Sequence, residues 1–396
     1  MALPVLSDVA AGGSKVRPVP VSVHGARQLS RSARSRPIKF TNSAEDRFLP
    51  TLRRKVTTYF QETGQSRTGG RRILAKGLFY GVLAVALYVL TLSGRFGALG
   101  TLLSATACGL FVLLLVTNIA HDAAHDALSG NKKFDRFVHT MIFSLLGSNA
   151  YLWRLRHVKS HHNFPNVNGC DVDIDENPFI RLSPNHPGRW YQAYQHLYAP
   201  LVYALVALHS IFVQDLIYLF KKRLANLTDI RHPRHQYILF AATKSLYFGL
   251  MLGLPMVLLD FAWWQVLIGY LLVTAAQSLV FVFMLIGTRF TEETSFPVVN
   301  SEGYLPHSWA DHALVTSMDW LPNSRLANFL AGGANAHAAH HLFPNVSHVH
   351  YVAITGIIRE TASEFQKPYQ EAGLMQMMVS HFCLLRRLGR QEIEQA

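Results

Sequence analysis

Charge and cysteine are both scarce in this 396-residue chain. Charged residues make up 15% of it against 50% hydrophobic, which is poor in charge for a water-soluble fold. The three cysteines, Cys108, Cys170 and Cys383, are scattered and form no CxxC pair. That excludes a disulfide framework and a cysteine-based zinc site, and it points to a reducing compartment. Cys108 lies inside an apolar run and reads as a packing residue. Residues 1–44 hold no apolar stretch long enough for a signal-peptide core. There is no internal repeat and no nucleic-acid-binding motif. The net charge of +13 is therefore read as loops facing anionic lipid, with no nucleic-acid partner expected.

What is present begins with a basic tail. Residues 1–44 carry seven Lys and Arg against a single acid, Asp8. Its RQLSRSARSRP stretch reads either as transit-peptide-like or as a disordered tail at the membrane surface. LPTLRRKVTTYFQE (residues 49–62) has the spacing of an amphipathic helix lying on the membrane or on a catalytic domain. Four runs are long enough to span, at about 20 apolar residues each: 73–93, 98–120, 237–259 and 264–287. They form two hairpins with turns GRFG and DFAW. Arg95 is the only Lys or Arg in those turns, whereas Lys221, Lys222, Arg223, Arg231 and Arg234 lie on the other side. The positive-inside rule then places the turns outside and the rest in the cytoplasm.

Two further apolar stretches, 137–146 and 201–220, are expected to be interfacial or re-entrant. The first is too short to span and the second contains His209, Gln214 and Asp215; a carboxylate in lipid costs about 3 kcal/mol. Beyond Arg289 the chain is polar, with short helices expected near 323–330 and 351–364. The expected fold is an all-α integral membrane protein of two hairpins with a cytoplasmic helical cap. Its limits are a tail at 1–44, a membrane domain at 45–370 and a C-terminal tail at 371–396.

Eight histidines fall in three clusters: HDAAH (His121, His125), HVKSHH (His157, His161, His162) and HAAHH (His337, His340, His341). Spacings of three and four residues turn imidazoles to one side of a helix, and the hairpin topology carries all three clusters to one membrane face. Imidazole is the commonest ligand for mid-series transition metals. A zinc site takes four ligands, and a catalytic one usually three plus water, so eight suit two ions with open positions. Iron fits imidazole and oxygen chemistry, while zinc and copper stay open. Asp122, Asp126 and Asn335 lie beside the clusters and could orient ligating imidazoles. Asp171, Asp173 and Asp175 could do the same or form a solvated loop. Isolated His24, His186, His232, His235 and His381 are expected to be surface groups.

The segments Trp153–Arg181, Gln195–Tyr203 and GGANAHAAHHLFPNVSHVHY (Gly332–Tyr351), with the three boxes and two hairpins, resemble the integral-membrane fatty acid desaturases. The likeness runs from about Lys39 to the C-terminal region. It implies a centre of two iron ions on the eight box histidines, with dioxygen as co-substrate. It also implies syn removal of two hydrogens from a fatty acyl chain with two electrons. His312, in WADHALVTS, is implied as a further ligand, because similar bacterial sequences also carry histidine there. Asn149 and Trp153 are candidates for the mouth of a substrate tunnel, or else for helix packing. The acyl group could ride on a lipid, CoA or a carrier protein. Without a fused cytochrome b5 domain, electrons would come from a separate ferredoxin or cytochrome b5-type donor. Lys132, Lys133, Arg154 and Arg156 could dock that donor or contact headgroups. A bacterial inner membrane, with the site cytoplasmic, is the implied location.

Two residues depart from the family pattern. His337 stands where many front-end desaturases have Gln, and Arg289 stands near a histidine that many carry as the fourth span ends. Rival outcomes on the same scaffold are hydroxylation, acetylenation and carotenoid-type oxygenation. A histidine-rich membrane metal transporter is a rival of another class, although transport histidines should lie within the spans.

Overall fold

The computed structural model describes residues 38–41, 46–175 and 177–391; the expected basic tail and His24 lie outside them. Four helices are long and apolar enough to cross a membrane: α2 (Gly70–Leu92), α3 (Gly97–Ala124), α8 (Arg234–Leu258) and α9 (Trp263–Thr288). They pair into two hairpins, as the four apolar runs require. α3 and α8 are longer than expected. α3 continues through a π-helical turn, Val116–Ala120, and carries the first histidine cluster out of the apolar zone.

Before the bundle, α1 (Phe48–Thr63) buries Phe48, Leu52, Val56 and Phe60. These residues recur every fourth position, forming one apolar stripe. The stripe packs against α13 (Tyr351–Glu364), through a core that includes Ile354 and Ile358. Of the two expected resting places for this helix, the one found is the cap around the histidines.

The two awkward apolar stretches pack against the bundle, with Ile211 of the second buried beside Tyr247 and Tyr270. α4 (Lys132–Leu146) starts at an Asn131 cap, whose side chain accepts from the backbone N–H groups of Lys133 and Phe134. Gly147, at φ +80°, ends it, and a Cβ there would come within 2.7 Å of the Tyr247 ring. α5 (Ala150–Arg154) follows. Next, α6 (Trp190–Ala204) and α7 (Val206–Phe220) meet at a 62° bend. Asp215 on α7 is buried, but Lys244 of α8 contacts it at 2.8 Å and the Asn149 N–H donates to it at 2.8 Å. Pairing answers the cost of carrying a carboxylate into this region.

The rest of the cap is α10 (Trp309–Val315), α11 (Arg325–Ala331), α12 (His337–Leu342), α13 and α14 (Leu374–Arg390). Two parallel pairs of two-residue strands tie the loops: β1 (Lys39–Phe40) with β2 (Tyr304–Leu305), and β3 (Asp319–Trp320) with β4 (Glu371–Ala372). α14 lies in the segment read from sequence as a tail. It buries Met377, Leu384, Leu385 and Leu388 completely. His381 on its inner face corrects the expectation of a surface group: it is fully buried, bonded to the Tyr203 hydroxyl at 2.8 Å and to the Phe290 carbonyl at 2.7 Å. His232 is also engaged, with the Tyr151 hydroxyl and the Tyr218 carbonyl each at 3.1 Å.

Candidate metal centre

Each histidine cluster is shaped by a local departure from plain α-helix. In the first, the π turn Val116–Ala120 precedes His121, and the His121 and His125 rings lie 5.1 Å apart. In the second, α5 loosens into a π turn, Leu155–Ser160, and then tightens into a 3-10 turn, His161–Asn163. In an ideal α-helix the consecutive His161 and His162 would diverge by about 100°. Here the rings of His161 and His162 lie 5.4 and 4.6 Å from that of His157. In the third, α12 has no capping side chain of its own. Asp319 of β3 accepts from the Ala338 N–H at 2.9 Å and from the Tyr369 hydroxyl at 2.7 Å. Burial pushes the Asp319 carboxyl up to about 7.

The clusters then meet. The Nε2 atoms of His121 and His157 approach to 3.3 Å, those of His157 and His162 to 3.1 Å, and those of His337 and His341 to 3.1 Å. Two nitrogens each about 2.1 Å from one ion, at tetrahedral or octahedral angles, lie about 3.0–3.4 Å apart. Donor atoms gather as His121, His125, His157 and His340, as His161, His337 and His341, and as His162, His340 and His341. All eight box histidines belong to these groups, which overlap at His340 and His341. Adjacent, overlapping donor sets suit two neighbouring ions.

The donor chemistry fits as well. Both ring nitrogens of His340, Nε2 of His125 and Nδ1 of His162 are buried without a hydrogen-bond partner; such groups are costly unless something accepts their lone pairs. Burial and neighbouring imidazoles hold His125, His157, His162, His340 and His341 well below the ordinary histidine range, and burial with the Arg289 charge does so for His337. Neutral imidazole is the form that binds metal.

Around this core the neighbours sort out. Asp171 bonds His161 Nδ1 at 3.2 Å, which leaves Nε2 for the cluster. Asp122 instead holds His348 Nδ1 at 3.0 Å and the Ser347 hydroxyl at 2.6 Å. Asp126 pairs with Arg154 at 3.6 Å, and Asp175 with His186 at 3.0 Å. Asn335 donates to the Leu321 carbonyl at 3.3 Å and touches no box ring through a hydrogen bond. His312 stands outside the donor groups: its Nε2 lies 2.9 Å from the Pro165 carbonyl, and its ring packs edge-on against Phe40. Trp153 stacks on His157 with centroids 4.3 Å apart. Asn149 is buried as the cap of α5, accepting from the Leu152 N–H at 3.0 Å. Of the basic set, Lys132 and Lys133 are exposed, while Arg154 and Arg156 turn inward to the Ala124 carbonyl and Gln214.

Sequence reasoning missed His139, His348 and Asp319. His139 is buried against Phe143 and Trp153, and burial lowers it to about 3. His348 joins Asp122 to Lys76 Nζ, which lies 3.2 Å away. The only signal for His348 was its place in the HVH run after the third box; lone His139 and Asp319 gave none.

Fold and site together define a class: a four-span membrane protein whose buried imidazole cluster, at one end of the bundle, can hold metal ions. Within that class, the chain belongs to the fatty acid desaturase family, which it matches over residues 96–373. It is an oxidoreductase of acyl desaturation. It is 27% identical to an acyl-lipid (8-3)-desaturase of Physcomitrium patens, over 90% of this chain and 74% of that one. It is 28% identical to an sn-1 linoleoyl-lipid 6-desaturase of Synechocystis, over 84% and 92%, and 26% identical to its namesake in Arthrospira platensis, over 81% and 87%.

Proposed function

We propose that the protein is a dioxygen-dependent desaturase of lipid-linked fatty acyl chains, with two iron ions held by His121, His125, His157, His161, His162, His337, His340 and His341. The observation that carries this reading is the convergence of eight imidazoles, five of them buried and three half-buried, into overlapping donor groups. The balanced reaction converts –CH2–CH2–, O2, two electrons and two protons into –CH=CH– and two waters. Bound iron supplies the redox chemistry that joins O2 reduction to hydrogen removal. The chain's own residues hold the imidazoles neutral and oriented, exclude water through the cap, and fix the distance along the acyl chain. Trp153, stacked on His157 and touching His139 and Phe143, forms an apolar wall beside the cluster.

The acyl-lipid substrates named for the three relatives support a lipid-linked acyl group. The two electrons come from a ferredoxin or cytochrome b5-type donor. The positive-inside pattern supports a cytoplasmic site, in a membrane read as a bacterial inner membrane. Expression in a host with defined lipids, followed by gas chromatography–mass spectrometry of its acyl chains, tests the reading. An acyl product lacking two hydrogens is expected. A product that gains an oxygen would assign hydroxylation instead, and His161→Ala retaining full activity would overturn the metal assignment.

A further inference from the structure

The end of the fourth span is lashed to the second histidine box by one buried cation. Arg289 follows α9, and its guanidinium donates to Asp171, to Asp173 at 2.7 Å and to the Asn166 side chain at 3.2 Å. Asp171 is fully buried and Arg289 nearly so. The same Asp171 oxygen accepts from the Asn166 N–H at 2.9 Å and contacts His161 Nδ1 at 3.2 Å. The lash has further anchors. The Asn166 side chain donates back to the Arg289 carbonyl at 3.0 Å, and the carbonyl of the next residue, Phe290, is held by buried His381.

The eight imidazoles are not supported equally. His161 is the only box histidine with a carboxylate on its outer nitrogen among the described residues. It belongs to the group with His337 and His341, not to the group of His121, His125, His157 and His340. A buried ion pair is a weak source of stability, since desolvation offsets most of its attraction. Its worth here lies in where it points: a carboxylate on the far nitrogen of a ligating imidazole fixes tautomer and ring orientation and raises ligand basicity.

We propose that Asp171 and Arg289 are a positioning pair for His161 that acts on one of the two metal positions, the one built on His161, His337 and His341, and leaves the other unaffected. The pair makes the two positions unlike: one rests on four imidazoles, the other on three imidazoles and a charged clamp, with His162 beside His340 and His341 between them. Asp171 sets the His161 ring, and Arg289 holds Asp171 and ties its place to the end of the fourth span. The inference rests on the metal reading above.

The test is anaerobic Fe2+ titration of the purified full-length protein, with Mössbauer spectra of the loaded forms. The wild type is expected to bind two ions in two resolvable steps; binding of none would defeat the metal reading itself, separately from this inference. Asp171→Asn should weaken one step by about 10–100-fold, the usual cost of losing an outer partner of a metal-bound histidine, and leave the other within about threefold. Arg289→Ala should do the same. Arg289→Lys, which keeps the charge, should recover most of the lost affinity while shifting only one of the two iron signals. Equal weakening of both steps would overturn the proposal, and so would no change in either. Should Asp171→Asn or Arg289→Ala fail to fold, the spectrum of Arg289→Lys decides: a shift in both signals, or in neither, refutes it.

Discussion

Removing Lys244 alone should cost more than removing Lys244 and Asp215 together. Lys244 Nζ contacts Asp215 at 2.8 Å and donates to the carbonyls of Gly147 at 2.6 Å and Ile211 at 2.7 Å. Asp215 in turn accepts from the Asn149 N–H, the start of the helix that leads to His157. Lys244→Met leaves a buried carboxylate with one backbone donor, and breaking one side of such a pair costs about 3–5 kcal/mol. Asp215→Leu strands the ammonium on two carbonyls, at a comparable cost. In the double variant neither charge is left, and replacement by apolar groups of similar volume is often close to neutral. What stays lost is the Asn149 contact and the lysine's bonds to two carbonyls, about 1 kcal/mol each. Unfolding of the purified protein in mixed micelles with graded SDS, run as a double-mutant cycle, reads the coupling. A coupling of about 2 kcal/mol or more, with the double variant more stable than either single one, is expected. If the two losses simply add, the pair is not a coupled unit and the account of how Asp215 is tolerated is wrong.

Other outcomes follow from the same packing. Gly332 sits at φ +63°, and a Cβ there would come within 2.4 Å of the Thr117 carbonyl oxygen; Gly332→Ala should lose about 2–5 kcal/mol from backbone strain and overpacking, read as a lower SDS midpoint and reduced bound iron. Asp319, with its folded value near 7 against an ordinary 3.8, contributes stability at acid pH that is lost as pH rises through about 7; thermal melts from pH 5 to 8 should fall for the wild type and stay flatter for Asp319→Asn. His312→Ala should keep two metals per chain while losing about 1–3 kcal/mol for the unpaired Pro165 carbonyl. His340→Ala should weaken the metal position that it shares with His121, His125 and His157. Metal analysis of the two purified variants separates these outcomes.

The spans and the eight box histidines were legible because each signal is local: an apolar run about one bilayer long, or imidazoles within five residues of each other. Parity alone does not give the convergence, since treating 201–220 as re-entrant already presumes that the three clusters meet; the structure gathers their donor atoms. What stayed hidden depends on distant residues. Asp122 and His348 are 226 positions apart, and Arg289 and Asp171 are 118 apart, so no window reveals the pairs. In sequence the Asp run after the second box fits two roles, and the structure divides it: Asp171 turns inward to His161, while Asp175 takes half-buried His186. α14 was read as tail because its arginines and polar residues mask an inner stripe of Met377, His381, Leu384, Leu385 and Leu388. His312 was carried by resemblance alone, and its ring meets a backbone carbonyl outside the cluster.

The most direct test of the central claim is the iron content of the full-length protein, purified without added chelator and reconstituted anaerobically, measured beside His340→Ala. Two iron ions per wild-type chain, with the position built on His121, His125 and His157 no longer filled normally in the variant, are expected. A single ion per chain, or two ions retained after His340 is removed, would contradict it.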